Sequence, residues 1–151
     1  MSDKQKNIIL GLRIALGLLF LYAGISKVVD PTWTAAGFLK GAKTFHWLYA
    51  WFGSPMNIGW VNFVNEWGLT LLGICLITGL FIPYASWVGI AFMLLYFFPT
   101  FHFPFAGEHS VLVDEHIIYI LVLLLFIATD AGLFSGLDSI LFGKQKPAKK
   151  E

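Results

Sequence analysis

The chain has 151 residues, of which 58% are hydrophobic and 13% charged, and its mean hydropathy is +0.75. Soluble domains carry roughly 25% charged residues, so this composition excludes an ordinary water-soluble domain and predicts a protein of the lipid bilayer. The formal net charge of +1 predicts no nucleic-acid partner, and the single cysteine, Cys75, excludes an internal disulfide, a CxxC redox pair and a CxxCH haem attachment site.

Four stretches are long and apolar enough to cross a bilayer as helices, which takes about 20 residues each. They cover residues 8–28, 61–82, 85–103 and 111–134. The first is expected to stop at Asp30-Pro31, because proline disfavours helical backbone in the preceding residue. A tight turn is expected at Ile82-Pro83-Tyr84, and residues 137–151 form a lysine-rich tail. The predicted fold class is therefore all-α, a four-helix transmembrane bundle in one domain, 1–151.

The positions of the lysines predict the orientation in the membrane, since cytoplasmic flanks are enriched in Lys and Arg. Lys4 and Lys6 precede the first span, and four lysines follow the last one, at positions 144, 146, 149 and 150. The connection 99–110 has neither Lys nor Arg. An even number of spans places both termini on one side. We therefore expect a multi-pass protein of a bacterial or archaeal cytoplasmic membrane, with both termini in the cytoplasm.

The connection between the first two spans, about residues 31–60, has its own helical pattern. Apolar residues recur there at helical spacing, and tryptophans flank them, a residue type that favours the headgroup level: Trp33, Phe38, Ala42, Phe45, Trp47, Tyr49, Trp51, Phe52 and Trp60. This pattern predicts an additional short amphipathic helix, either along the outer membrane surface or folded over the mouth of the bundle. Its role as a simple interfacial anchor or as a lid over a substrate stays open.

Ionisable residues inside the spans are expected to face the bundle interior and to find partners there. Arg13, Gly17, Gly24 and Lys27 lie on one stripe of the first helix, and its glycines allow a neighbouring helix backbone to come close. Matching depths predict two ion pairs, Arg13–Asp130 near the cytoplasmic side and Lys27–Glu66 near the outer side. Arg13 and Asp130 are interpreted as a structural ion pair that fixes helix register, and the same structural role is the alternative for Lys27 and Glu66.

The candidate functional site lies at the outer mouth, where the last span begins. Histidine titrates near neutral pH, so His116 and Glu66 can exchange protons beside a bound small molecule. The candidate catalytic residues are Glu66, Glu115 and His116, and the candidate substrate-binding residues are Lys27, Trp67, Asp114 and Tyr119. Asp114 and Glu115 also fit a simpler role as acids in the first turn of a helix, where they suit the helix dipole.

No metal or haem is predicted, although the outer connection contains three histidines. His102, His109 and His116 are spaced by seven residues, with Glu108 beside them, which matches no compact metal motif. Cys75 lies in an apolar run without a base nearby in the sequence, so it is interpreted as a packed core thiol.

Several short motifs, in order, resemble the DoxX-type membrane proteins. The run 12–27 has the arginine, glycine, Ala-Gly and lysine of the family's opening helix, and Glu66 with Gly73 fits its second helix. Asp114-Glu115-His116 with Tyr119, followed by Ala131-Gly132-Leu133, resembles the last helix of the DoxD-like branch. The resemblance covers all four predicted helices.

The resemblance implies a four-helix membrane bundle and an association with redox or sulfur metabolism. In its best-described branch it implies the membrane subunit of a thiosulfate:quinone oxidoreductase, which yields tetrathionate, uses membrane quinone as acceptor and needs a periplasmic partner subunit. The residues it points to are Arg13, Lys27, Glu66 and the cluster 114–116. An apolar outer mouth with aromatic contacts and proton donors suits a quinone, and Lys27 suits an anion such as thiosulfate.

Two other functions stay open at this point. The first is a non-catalytic membrane anchor or assembly partner of a redox complex. The second is a small-molecule transporter, for which buried charges are also usual, and which would require a homo-oligomer to form a path.

Overall fold

The computed structural model describes residues 1–106 and 110–142, and this part of the chain is helical without a β-strand. Its helices are α1 (Asp3–Val28), α2 (Ala36–Lys40), α3 (His46–Phe52), α4 (Ile58–Thr78), α5 (Ile82–Thr100), α6 (Glu115–Ala128) and α7 (Leu137–Leu141). By length and composition, α1, α4 and α5 can cross a membrane, and α6 is a shorter apolar helix of 14 residues. Glu108, His109 and the four tail lysines lie outside the described residues.

Helix α1 begins five residues earlier than the predicted span because a capping box fixes its start. The Ser2 hydroxyl accepts a hydrogen bond from the Gln5 backbone N–H, and the Gln5 side chain accepts one from the Ser2 backbone N–H. Two of the otherwise unpaired amide groups of the first turn are thereby satisfied. The helix ends at Val28, just before Asp30-Pro31, as the sequence predicts.

Helices α1 and α4 form the most extensive helix pair, and glycines allow their backbones to meet. A Cβ added to Gly73 would lie 2.7 Å from the carbonyl oxygen of Gly17, and one on Gly17 would lie 3.1 Å from the backbone nitrogen of Ile77. A Cβ on Gly24 would collide with the backbone nitrogen of Thr70. The predicted role of these glycines in close helix packing is confirmed.

The turn between α4 and α5 lies at residues 79–81, so the prediction of a turn at 82–84 was wrong. Gly79 ends α4 in the left-handed conformation (φ 72°), which glycine adopts without steric strain, and its N–H reaches the carbonyl of Cys75 at 2.9 Å. Pro83 stands in the first turn of α5, where a missing N–H leaves no hydrogen bond unmade. The proline therefore belongs to the start of the helix.

Helix α6 is shorter at both ends than the predicted span 111–134. It begins at Glu115 because the Asp114 carboxylate caps it, accepting from the backbone N–H groups of His116 and Ile117. It ends at Ala128, and Asp130 follows with φ 50°, a conformation that an α-helix cannot continue through.

One core joins the four longer helices. Phe20 of α1, Leu69 and Leu76 of α4, and Leu123 and Phe126 of α6 are at most 1% exposed, and α5 adds Met93 to the same cluster. The outward surface of these helices is also apolar, with Leu18, Phe63, Trp87 and Leu121 more than half exposed. Such a continuous apolar exterior is the surface of a protein solvated by lipid. That all four helices cross the bilayer stays a prediction.

The connection 29–57 contains two short helices, α2 and α3, where the sequence predicted one. Phe45 separates them, with φ 52°. The segment folds over the end of α5: the Lys43 N–H donates to the Pro99 carbonyl at 2.9 Å, the Thr44 hydroxyl to the Phe101 carbonyl at 2.6 Å, and the Tyr49 hydroxyl to the Leu95 carbonyl at 3.1 Å. Of the two predicted placements, these contacts favour a cover over the mouth of the bundle.

Candidate functional site

A cavity of about 330 Å³ lies between the end of α1, the α2–α3 connection, and the adjoining parts of α4 and α5. Seven of its fifteen lining residues are aromatic. The lining consists of Lys27, Trp33, Thr34, Ala35, Phe38, Leu39, Tyr49, Phe52, Trp60, Val61, Val64, Asn65, Phe92, Leu95 and Tyr96. Its size falls at the lower end of the range of about 300–1,000 Å³ that is usual for small-molecule sites. Because its lining is rich in aromatic side chains, this cavity is the main candidate for a binding site.

The connection over the cavity is held in place by a second apolar cluster. Ala35, Leu39, Ala42 and Tyr49 are buried there, and Trp33, Phe52 and Phe98 pack around them. Tyr49 is 2% exposed, and burial raises the pKa of its hydroxyl above the ordinary value because the charged form loses hydration. Its neutral hydroxyl remains a hydrogen-bond donor to α5, so the cover is attached by packing and by a buried hydrogen bond.

Asn65 and Tyr96 supply the polar groups of the inner wall. The Tyr96 hydroxyl donates to Oδ1 of Asn65 at 2.6 Å, which leaves the Nδ2 group of Asn65 without a partner among the described residues. An amide nitrogen carries two N–H donors, and a cavity ligand can accept from them. Neither residue is among the candidates predicted from the sequence.

Lys27 lines the cavity from the last turn of α1, as a candidate binding residue should. Its Nζ donates to the Ala23 carbonyl at 2.8 Å and lies 5.3 Å from the centroid of the Trp33 ring. The predicted pair with Glu66 was wrong: within residues 1–106 and 110–142, Lys27 forms no ion pair. The nearby carboxylate of Asp30 accepts from the Thr32 hydroxyl and backbone N–H, which lowers the pKa of Asp30.

Glu66 and Trp67 do not line the cavity, although both neighbour Asn65 in the chain. Val61, Val64 and Asn65 share one face of α4 at the i, i+3, i+4 spacing, and the next two residues turn away from it. The half-buried Glu66 contributes its backbone carbonyl to the contact with α1, where it accepts from the Thr70 hydroxyl at 2.8 Å. Trp67 is 44% exposed on the outer surface.

Asp114 and His116 approach the cavity from behind Tyr96. Asp114 is buried, and its Oδ2 lies 2.7 Å from Nδ1 of His116, in addition to capping α6. The His116 ring packs against that of Tyr96 with the centroids 5.9 Å apart. Glu115 is exposed, and Tyr119 packs edge-to-face against Phe20 in the core at 6.1 Å. The predicted cluster therefore does not form a single site. His116 contacts the cavity wall, whereas Glu115 is exposed and Tyr119 packs in the core.

The ligand atoms of Asp114, Glu115 and His116 can approach one another within 4.8 Å. Asp114 already uses both oxygens, for the helix cap and for His116, so the geometry alone gives no metal assignment. His102 is exposed, and the backbone N–H and carbonyl of this residue bond to Phe105.

At the other end of the bundle, Arg13 has different partners from the one expected. It is 2% exposed, and its Nη1 donates to the Ala131 carbonyl at 2.7 Å; the charge of Asp138 favours its ionised form without a salt bridge between the two side chains. The predicted partner, Asp130, directly precedes Ala131. Asp138 also accepts from the backbone N–H groups of Phe81 and Ile82, at 2.7 and 3.0 Å.

This cluster joins the middle of α1, at Arg13, to the start of α5 through Asp138, to the segment after α6 through Ala131, and to α7. A second cavity, of about 460 Å³, adjoins it and is lined by Phe81, Asp130, Asp138 and Phe142 among others. Arg13 and Asp138 thus lie at contacts between elements, away from the aromatic cavity.

Comparison with known protein families gives a match. A family model described as DoxX matches residues 8–102, which is more than half of the chain and includes every residue of the cavity lining. Helix α6, with His116, lies beyond the matched range. No curated protein and no solved structure matches the chain.

Proposed function

Because the chain belongs to the DoxX family, we propose that it is a quinone-binding membrane component of an oxidoreductase. The observation that carries the proposal is the aromatic cavity at the covered end of the bundle, with Lys27 and Asn65 in its wall. A quinone ring needs flat apolar walls and donors for its two carbonyl oxygens, and this lining has both.

The donors in the wall are available for a ligand. Lys27 has three N–H groups and uses one, for the Ala23 carbonyl, and the Asn65 amide nitrogen uses none among the described residues. Phe38, Phe92 and the other aromatic side chains supply apolar faces for the ring. The apolar side chains around these donors strengthen each hydrogen bond made beside them.

A bound quinone would supply the redox chemistry, by taking up two electrons and two protons. The family resemblance suggests thiosulfate as the donor: two thiosulfate ions joined through a sulfur–sulfur bond give one tetrathionate and release two electrons. The residues of this chain hold and orient the ring, and the Asp114–His116 pair behind Tyr96 is placed to hold a proton beside the cavity. The oxidation of thiosulfate is assigned to a partner subunit on the outer side.

Quinone binding is tested first, with the protein in lipid nanodiscs. A short-chain quinone is titrated, and quenching of tryptophan fluorescence reports on Trp33 and Trp60 in the cavity wall. Val64→Phe fills the cavity from α4, and Val88→Phe adds the same volume at a position on α5 that is equally exposed and outside the lining. We expect Val64→Phe to weaken binding by at least about tenfold and Val88→Phe to leave it unchanged.

Reduction is tested second, in membrane vesicles of both orientations supplied with thiosulfate and a quinone analogue. Thiosulfate-dependent reduction that Val64→Phe abolishes supports the complete proposal. Binding without reduction would make the chain a quinone-binding partner that lacks its donor subunit, and addition of outer-side extracts should then restore the activity. Equal affinity in the parent and in Val64→Phe would contradict the proposal.

A further inference from the structure

Among the residues that the structure describes, no acidic side chain forms an ion pair with Lys27. Its nearest expected partner, Glu66, forms no ion pair with it, and Asp30 directs its carboxylate to Thr32. Across residues 1–106 and 110–142, the contacts of the Lys27 ammonium are the Ala23 carbonyl and the Trp33 ring. Each of these two contacts stabilises a partly desolvated cation less than an ion pair with a carboxylate does.

The surroundings of Lys27 are apolar, so this charge is held at a cost. An ionised lysine beside hydrocarbon is disfavoured because it loses hydration, and more so where water has no access. Among the described residues that line the cavity, Lys27 is the single charged one. An anion entering the cavity would therefore meet one unopposed cation and no repelling carboxylate.

We propose that the cavity selects ligands that carry a negative charge on a flat apolar body, and that Lys27 is the residue that selects them. The inference rests on the proposed function, because it concerns the same cavity, and it specifies the ligand class. The apolar walls exclude small hydrated anions, which would lose their water without replacement. An ionised hydroxyquinone or a comparable aromatic acid satisfies both requirements, with its anionic oxygen at Nζ and its ring between the aromatic side chains.

A lysine near the end of a membrane helix can also extend its charge to the headgroup level, with no role in ligand choice. Under that explanation, an anionic and a neutral ligand of the same shape respond identically to replacement of Lys27. The two explanations therefore differ in one measurable quantity, the ratio of the two affinities.

The experiment uses the full chain in nanodiscs of zwitterionic lipid, so that the membrane itself carries no net charge. The probes are a hydroxynaphthoquinone, ionised at neutral pH, and its neutral methyl ether, with tryptophan quenching as the readout. The variants are Lys27→Gln and Lys27→Arg, and the matched control is Lys40→Gln, an exposed lysine in the cover that lies outside the lining.

We expect the parent and Lys40→Gln to prefer the anion by about tenfold or more, as for a partly buried charged hydrogen bond. Lys27→Gln should remove this preference, because its amide can still donate to a neutral carbonyl oxygen but carries no charge, so the anion loses more affinity than the neutral ether does; Lys27→Arg should keep part of the preference. Equal affinities in the parent, or a preference that survives in Lys27→Gln, would overturn the inference.

The outcomes separate this inference from the function on which it rests. In one outcome, the neutral ether binds, competes with quinone and binds more weakly to Val64→Phe, while the anion binds no more tightly than the ether. That outcome supports the quinone site and contradicts the selection by charge. If neither probe binds the parent, both proposals fail.

Discussion

The hydroxyl of Tyr96 donates a hydrogen bond of 2.6 Å to Oδ1 of Asn65, and this contact joins α5 to α4 in the wall of the cavity. The same ring packs against His116 of α6 and against Phe38 of the cover, with centroids 5.9 and 6.2 Å apart. Tyr96 of α5 thus contacts three other elements, and it sets the orientation of the Asn65 amide. The following predictions concern this wall and the contacts that support it.

Tyr96→Phe removes the hydroxyl and keeps the ring. The Asn65 amide then loses the partner that fixes its orientation, so quinone binding should weaken by about three- to tenfold, the equivalent of one neutral hydrogen bond. Quinone titration in nanodiscs measures the change. Tyr84→Phe, at a tyrosine of α5 that is 74% exposed, is the control and should bind as the parent does. Unchanged quinone binding in Tyr96→Phe would contradict the role of the Tyr96 hydroxyl in orienting the Asn65 amide.

Two substitutions separate the two roles of Asp114, the cap of α6 and the negative charge beside His116. Asp114→Ala removes the cap of α6 and should lower the free energy of unfolding by about 1 kcal/mol, whereas Asn is itself a good capping residue. Asp114→Asn should therefore keep most of the stability but lose the charge beside His116, and quinone reduction should slow as much as in His116→Ala. Thermal unfolding and the reduction rate together separate the roles. A full reduction rate in Asp114→Asn would contradict the assignment of a proton-holding pair.

Asp138→Asn should destabilise the protein strongly, although the shape of the side chain is kept. Asp138 is 4% exposed, and its two carboxylate oxygens accept from the backbone N–H groups of Phe81 and Ile82. Asparagine has one oxygen, so one of these buried donors loses its acceptor, which should cost about 1–3 kcal/mol. Chemical unfolding in detergent measures the effect, with the exposed Asp3→Asn as control. A loss no larger than that of Asp3→Asn would contradict the role of Asp138 at the start of α5.

Two glycine substitutions on the first helix pair should have opposite signs. Gly73→Ala places a methyl group against the backbone of Leu21 and Gly17, where nothing can yield without moving α1, and should destabilise by about 1–3 kcal/mol. Gly11→Ala meets no atom within 4 Å and gains helix propensity, so it should be neutral or stabilising by up to about 1 kcal/mol. Thermal unfolding of the two variants compares them. Equal effects would contradict the close contact of α1 and α4.

The number of spans can be decided from the location of the two termini. If α6 crosses the bilayer together with α1, α4 and α5, the termini lie on the same side, and a fluorescent protein fused to either end should fold in the cytoplasm. If α6 does not cross, three spans place the termini on opposite sides. Activity of a C-terminally fused periplasmic phosphatase would then overturn the four-span prediction.

Some features could be predicted because they depend on one helix at a time. The apolar runs identify α1, α4 and α5, since a bilayer demands about 20 apolar residues whatever their partners. The stripe of Gly17 and Gly24 predicts close packing because the helical period places both on one face. Lys27 was identified as a binding candidate for the same reason, as a charge that a lipid-facing position would not tolerate.

Other features depend on which faces of different helices meet, and a single-helix pattern does not contain that information. Matching depths in the membrane suggested the pairs Lys27–Glu66 and Arg13–Asp130. Depth does not say how each helix is rotated about its own axis, and this rotation decides which side chains face each other. In the structure, Asn65 lines the cavity beside Lys27, and the charge of Asp138 acts on Arg13. The sequence did not predict Asn65 and Tyr96 as site residues. Neither side chain is charged, and an uncharged polar residue in an apolar run gives no distinct signal of a binding site.

The sequence by itself determined that the chain is a helical membrane protein with a DoxX-like first helix, because hydropathy and spacing act along the chain. The tertiary structure alone decided where the cavity lies and which side chains line it. The cavity exists because the cover of α2 and α3 packs across the ends of α4 and α5, and contacts between segments so distant in sequence arise only when the chain folds.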